Sequence, residues 1–170
     1  IIVNSTSNDI SCYGANDGNI DLTISGGLAD YTINMPPYSQ ILSNGITNYY
    51  SQSILSSGTY IYTVIDSNNC TVSDTIIIIE PDDLTTNPTI SNVLCKNENN
   101  GSIILNITGG TLPYIEDFGG NNPLQLSPGF YTYNVIDSNG CLLTDTFSIS
   151  EPDSLLSQVI STDATCAGYF

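Results

Sequence analysis

The sequence repeats itself at a spacing of 71 residues, and a chain built this way folds as a string of similar units. Cys70 and Cys141 stand 71 residues apart, as do Cys95 and Cys166, and as do the runs Glu80-Pro81-Asp82 and Glu151-Pro152-Asp153. The stretch from Gly58 to Cys70 aligns residue for residue with that from Gly129 to Cys141, both carrying Tyr-x-Tyr-x-Val-Ile-Asp-Ser-Asn. Cys12 and Cys95 are 83 apart, because the first copy holds 12 extra residues between Tyr31 and Gly58. The expected units are residues 1–82, residues 83–153, and the opening of a third copy in residues 154–170, marked by Cys166. On this reading the sequence is a window on a longer array. The fifth cysteine is then the first of another unit rather than a reactive thiol.

Each copy reads as all-β. Ile20, Leu22 and Ile24 alternate with polar residues, and Ile103, Leu105 and Ile107 repeat the pattern. A period of two puts one face in a core and the other in water. Gly26-Gly27 and Gly109-Gly110 break these strands. Tyr60, Tyr62 and Val64 share a face of the next strand, as do Tyr131, Tyr133 and Val135. Asp66-Ser67-Asn68-Asn69 and Asp137-Ser138-Asn139-Gly140 are turn chemistry. A last strand follows over 71–80 and 142–151, stopped by Pro81 and Pro152, since proline cannot extend a ladder. Tyr60 and Tyr131 stand two residues after a glycine at the start of the penultimate strand. That is the place of a tyrosine corner, whose hydroxyl bonds to upstream backbone in Greek-key sandwiches. The expected fold is a tandem array of immunoglobulin-like (Greek-key) β-sandwich repeats.

Composition narrows function. The chain has 17 acidic residues, one basic residue (Lys96) and no histidine, for a formal net charge of −16. Nucleic-acid binding needs clustered Lys and Arg. Anionic membrane surfaces are disfavoured by the same sign. Histidine-based acid–base catalysis and histidine-ligated metal sites are excluded. With 40% hydrophobic residues and 11 tyrosines it is no disordered acidic tail. The opening Ile1-Ile2-Val3-Asn4-Ser5 lacks the basic region of a signal peptide, and no apolar run approaches a membrane span. Neither an enzyme nor a required cofactor is expected.

The residues Cys12-Tyr13-Gly14-Ala15-Asn16-Asp17-Gly18-Asn19-Ile20, then Ser25-Gly26-Gly27, Gly58-Thr59-Tyr60 and Asp66-Ser67-Asn68-Asn69-Cys70 resemble the SprB repeat of gliding and adhesive Bacteroidota. Gly109-Gly110-Thr111-Leu112-Pro113-Tyr114 is close to that family's Gly-Gly-Thr-Pro-Pro-Tyr. The resemblance implies a segment of a large cell-surface adhesin. Its family setting is type IX secretion, extracellular display as filaments and, in gliding cells, gliding motility. Expected partners are the neighbouring repeats of the same chain, with parallel chains in a fibre or a surface glycan beyond them.

Three constellations are candidates for more than packing. Cysteines come first. Pairing within a copy, Cys12 with Cys70 and Cys95 with Cys141, closes loops of roughly 46–58 residues worth about 2–4 kcal/mol. This is the expectation taken forward. Against it, Cys12 ends the first strand and Cys70 begins the last, at opposite ends of a full-length sandwich. The rival is a bridge from Cys12 to Cys141 across the junction of successive copies. Second, Glu80, Asp82, Asp83, Asp137 and Asn139 gather at the expected junction, where oxygen donors suit calcium. The alternative is a solvated linker and ordinary turn residues. Third, Tyr38, Tyr49 and Tyr50 lie in the extra segment and form a candidate ligand-contact patch, or else cover an enlarged end of the core.

Overall fold

The computed structural model describes residues 1–42 and 48–160. Among the described residues there is no helix, and hence none long and apolar enough to cross a membrane. The chain forms antiparallel sheets around two separate cores.

The first copy contains β1 (Ile2–Asn8), β2 (Gly18–Ser25), β3 (Tyr31–Met35), β4 (Tyr38–Leu42), β5 (Tyr49–Leu55), β6 (Gly58–Ile65) and β7 (Thr71–Ile78). One sheet has the order β1-β2-β5 and the other β4-β3-β6-β7. The alternation in β2 has the expected effect: Ile20, Leu22 and Ile24 are buried between the sheets. They meet Tyr31, Ile33 and Met35 of β3, Tyr62 and Val64 of β6, and Ile76 and Ile78 of β7 in one cluster. Burying each such side chain contributes about 1.5–3 kcal/mol. The fold is a β-sandwich. Its fourth strand pairs with the third rather than joining the first sheet, which departs from the simplest seven-stranded immunoglobulin arrangement.

The 12-residue excess of this copy lies in the region of β4 and β5. In the second copy the same interval, between Tyr114 and Gly129, holds one three-residue strand, Ile115–Asp117, and then a loop with one bridge, Leu126 to Gly101. Leu126 and its counterpart Leu55 are both fully buried, so both routes deliver the same leucine to the core. In the longer route the register shifts opposite Gly18 and Asn19, and Ile54 takes a φ of 63° and points outward. A bulge of this kind lets Leu55 turn inward.

The second copy contains β8 (Thr85–Thr86), β9 (Thr89–Ser91), β10 (Ser102–Ile104), β11 (Ile107–Thr108), β12 (Ile115–Asp117), β13 (Gly129–Ile136) and β14 (Leu142–Ile149). Here the first strand is split in two, β8 pairing with β11 and β9 with β10. Pro88 stands at the break and has no N–H to offer the ladder. β12, β13 and β14 form the facing sheet. Tyr133, Val135, Phe147 and Ile149 close on Ile103, Leu105 and Leu126. The last strands end at Ile78 and Ile149, two residues short of the expected ends.

The tyrosine corners are present. Tyr60 donates its hydroxyl to the Ser56 carbonyl, and Tyr131 to that of Ser127, both at 2.8 Å. A second pair went unread in the sequence: Tyr31 donates to Gly26 O and Tyr114 to Gly109 O. These pin the chain as it crosses from the double glycine into the next strand. Ile77 and Ile79 point outward as their alternation with Ile76 and Ile78 requires.

Candidate functional site

The joint between the two sandwiches holds the most specific chemistry of the chain. It begins with the loop after β1. Ile10 N–H donates to Ile79 O at 2.9 Å, and Ile79 N–H to the Asp9 carboxylate at 3.0 Å. The start of the loop is thereby fastened beside the far end of β7. Glu80 holds its other side, accepting from Gly14 N–H and the Ser57 hydroxyl. Asp17 accepts from both the N–H and the hydroxyl of Ser11, and these two bonds hold its carboxyl below the usual carboxylate range. Cys12 is thus presented where the chain leaves the first sandwich.

The opposing surface is the hairpin between β13 and β14. Asp137 organises it from a buried position. One carboxylate oxygen accepts from Asn139 N–H and Cys141 N–H, at 2.9 and 2.8 Å. The other accepts from Thr111 N–H, just after the double glycine, at 2.8 Å. Burial is the largest single influence and favours the neutral acid. The N–H groups of Cys141, Thr111, Asn139 and Gly140 together outweigh it and hold the carboxyl below its ordinary value. Asp66 does the same for the first copy's hairpin, lowered chiefly by Leu28 N–H against burial, with Cys70 and Asn68 adding to it. The double glycine is needed here. A Cβ on Gly109, whose φ is +74°, would lie 1.9 Å from the Asp83 carbonyl oxygen. One on Gly110 would meet the Asp137 carboxylate at 3.0 Å.

Cys12 and Cys141 form a disulfide across this joint, with Cα atoms 5.6 Å apart. Beside it Asn139 Nδ2 donates to the Ser11 carbonyl at 3.0 Å, and Gly110 N–H to the Asp82 carbonyl at 2.8 Å. The within-copy expectation is therefore corrected: Cys12 does not pair with Cys70, nor Cys95 with Cys141. The reason is the one that stood against it. Cys12 lies beside Ile79, and Cys70 precedes Thr71 at the other end of β7, a strand of eight residues or roughly 26 Å. Cys70 and Cys95 are free and exposed. Cys166 lies outside the described residues.

The SprB repeat family model matches the chain twice, over residues 4–47 and 87–114. The two matches begin 83 residues apart, the same offset that separates Cys12 from Cys95. Over these two segments the chain is similar to the SprB repeat. The matched segments cover less than half of the sequence and take in the opening of each repeat, from the first strand past the double glycine. No match to a curated protein was found. SprB repeats occur in surface adhesins of Bacteroidota and form a structural repeat family.

The other candidate residues fare differently within these repeats. Glu80 and Asn139 line one junction cavity, and Asp82 and Asp83 another. Among the described residues no group of three or more acids or cysteines is placed to hold a metal ion. The expected calcium cluster is thus corrected: Asp137 is committed to its own hairpin, Glu80 to Gly14 and Ser57, and Asn139 faces Ser11 through its amide nitrogen, a donor. The tyrosines do not form one exposed patch. Tyr50 is buried, because alternation along β5 turns it inward, and Tyr38 is half-buried against the same core. Only Tyr49 faces solvent, donating its hydroxyl to Asp21. The sequence marks Asp66 as a turn former and Asp137 as both a turn former and a candidate calcium ligand. Their signal was the recurrence of one double glycine and one Asp-Ser-Asn turn in each copy, at separations that differ by the 12 extra residues.

Proposed function

We propose that this chain is a structural repeat segment of a secreted cell-surface adhesin or filament, one that supplies distance and stiffness. The observation that supports this reading is the joint. Two sandwiches with separate cores are tied by a covalent bond and by a hydrogen bond from Asn139 in the hairpin to the loop of the repeat before it. In a repeat array, interfaces between neighbours set how stiffly the units follow one another. A disulfide at the interface removes the freedom to hinge there and persists in an oxidising extracellular setting. The net charge of −16 adds repulsion that keeps units extended, screened over about 10 Å at 0.1 M salt. Each sandwich is a folding unit of its own in this account, with 1–82 and 83–153 as bounds.

Small-angle scattering of the chain with and without reductant tests the reading. The oxidised form should give a narrow distribution of distances between the sandwiches, and the reduced form a broader one with a shorter mean. Identical distributions would remove the joint as the source of stiffness.

A further inference from the structure

Both halves of a second joint are already formed on this chain, and each carries a free thiol. The receiving half follows β9. The backbone N–H contacts that shape the Cys12 loop recur there, at an offset of 83 within the loop and 71 for their partners at the end of the last strand, while the hydroxyl bonds of Ser11 and Ser57 are lost to Leu94 and Pro128. Val93 N–H donates to Ser150 O, and Ser150 N–H to the Asn92 side chain. Leu94 N–H donates to Asn100, and Asn97 N–H to the Glu151 carboxylate. Asn97 has a φ of 62° where Gly14 has 73°. The loop therefore presents Cys95 as the first loop presents Cys12.

The inserting half is the hairpin between β6 and β7. Asp66 holds Asn68 N–H and Cys70 N–H with one oxygen and Leu28 N–H with the other, as Asp137 does for its own hairpin. Ser67 N–H donates to Leu28 O as Ser138 N–H does to Thr111 O. Asn69 has a φ of 63° where Gly140 has 87°. Cys70 thus stands where Cys141 stands, and Asn68 where Asn139 stands.

The surfaces differ in one respect. In the formed joint Cys12, Pro81, Asp82 and Leu84 line a cavity whose other wall is the hairpin residues Gly140 to Leu143. The matching groove of about 430 Å³ beside Cys95 is lined by Pro152, Asp153 and Leu155, and among the described residues no hairpin borders it. Leu84 is 8% exposed and its counterpart Leu155 fully so.

We propose that the groove at Cys95 is a docking site for the Cys70-type hairpin of a second copy of this repeat pair, joined head to tail and locked by a Cys95–Cys70 disulfide. This rests on the reading of the chain as a repeat segment and names the partner of its unpaired loop and hairpin cysteines. The occupant is fixed by the chain itself, since the same hairpin sits on the same loop at the Cys12–Cys141 joint. In the docked arrangement Asn68 Nδ2 donates to the Leu94 carbonyl, as Asn139 does to Ser11. The bond forms by exchange with a small disulfide such as oxidised glutathione. The Cys95 thiolate attacks it and releases one glutathione thiolate. The Cys70 thiolate of the partner then attacks the mixed disulfide and releases the second. Two protein thiols are oxidised, one glutathione disulfide is reduced to two thiols, and the two protons lost by the protein are taken up by the leaving thiolates.

The test uses the full chain with Cys166→Ser throughout, in two further variants, Cys70→Ser and Cys95→Ser, in glutathione redox buffer. Each variant alone should remain monomeric on a non-reducing gel. The mixture should give one disulfide-linked heterodimer, forming at least about tenfold faster than either homodimer, as expected where docking raises the effective concentration of the thiols. Peptide mapping should show Cys70 joined to Cys95, with Cys12–Cys141 intact in both chains. Homodimers forming as fast as the heterodimer would overturn the proposal, as would no heterodimer while Cys12–Cys141 is intact; both leave the repeat-segment reading standing. Absence of the Cys12–Cys141 peptide would overturn both, since it removes the pattern on which the second joint is built.

Discussion

Removing the staple at the joint is the perturbation whose size follows most directly from the structure. Cys12→Ser, or mild reduction, opens a bridge that spans 129 residues of sequence. With both sandwiches unfolded, a closed loop of that length is worth about 5 kcal/mol of unfolded-chain entropy. With one sandwich unfolded on the other, the loop shrinks to roughly 60–70 residues and is still worth about 4 kcal/mol. Domains of this size shift Tm by about 4–8 °C per kcal/mol, so the first melting transition should drop by about 15 °C or more. Calorimetry of the oxidised chain, the reduced chain and Cys12→Ser measures it. Reduction and substitution should coincide, because Cys70 and Cys95 are free already and reduction has no bond to break at either. Cys70→Ser, at an exposed position, should change stability by no more than about 0.5 kcal/mol. A fall of less than about 3 °C on reduction would show that the joint adds nothing to stability and would refute the reasoning.

Other consequences can be measured by the same melts. Gly109→Ala should cost about 3 kcal/mol or more, since its Cβ collides with the Asp83 carbonyl at a positive φ, whereas Gly120→Ala, at φ +82° with open space around it, should cost only about 1–2 kcal/mol. Tyr131→Phe and Tyr60→Phe each remove one hydroxyl-to-carbonyl bond and should cost about 0.5–1.5 kcal/mol, equally in the two copies. Asp66 and Asp137 have carboxyl groups held below their ordinary value. Their contribution is fully present above the unfolded value near 3.8 and is lost as pH falls through the lower folded value, so acid melts should steepen below about pH 4. Asp137→Asn should flatten that acid limb. A limb unchanged in the variant would count against the hairpin hub.

The strands were legible because burial on one face writes a period of two into the residues. Ile20, Leu22 and Ile24, or Tyr62 and Val64, have their environments fixed by alternation alone. The tyrosine corners were legible because glycine and tyrosine must stand at fixed spacing for the hydroxyl to reach back four residues. The extra segment was harder. Tyr38, Tyr49 and Tyr50 look alike in sequence, and only the pairing of β5 with β2 turns Tyr50 inward and Tyr49 out. The acids near the junction were misread because composition counts donors without saying what else they bond. The Asp137 carboxylate is occupied by the N–H groups of Asn139, Cys141 and Thr111.

By itself the sequence determined that the chain holds similar all-β units and which faces meet in each of the two cores. Those are local matters of spacing and side-chain polarity, and the repeat states them twice. Which cysteine meets which was decided only by the tertiary structure. A sandwich separates the two ends of its last strand by the strand's whole length, so Cys12 and Cys70 are kept apart within one unit. The short link at Pro81 then turns the next unit's hairpin toward the first unit's open end, and two residues 129 positions apart become neighbours.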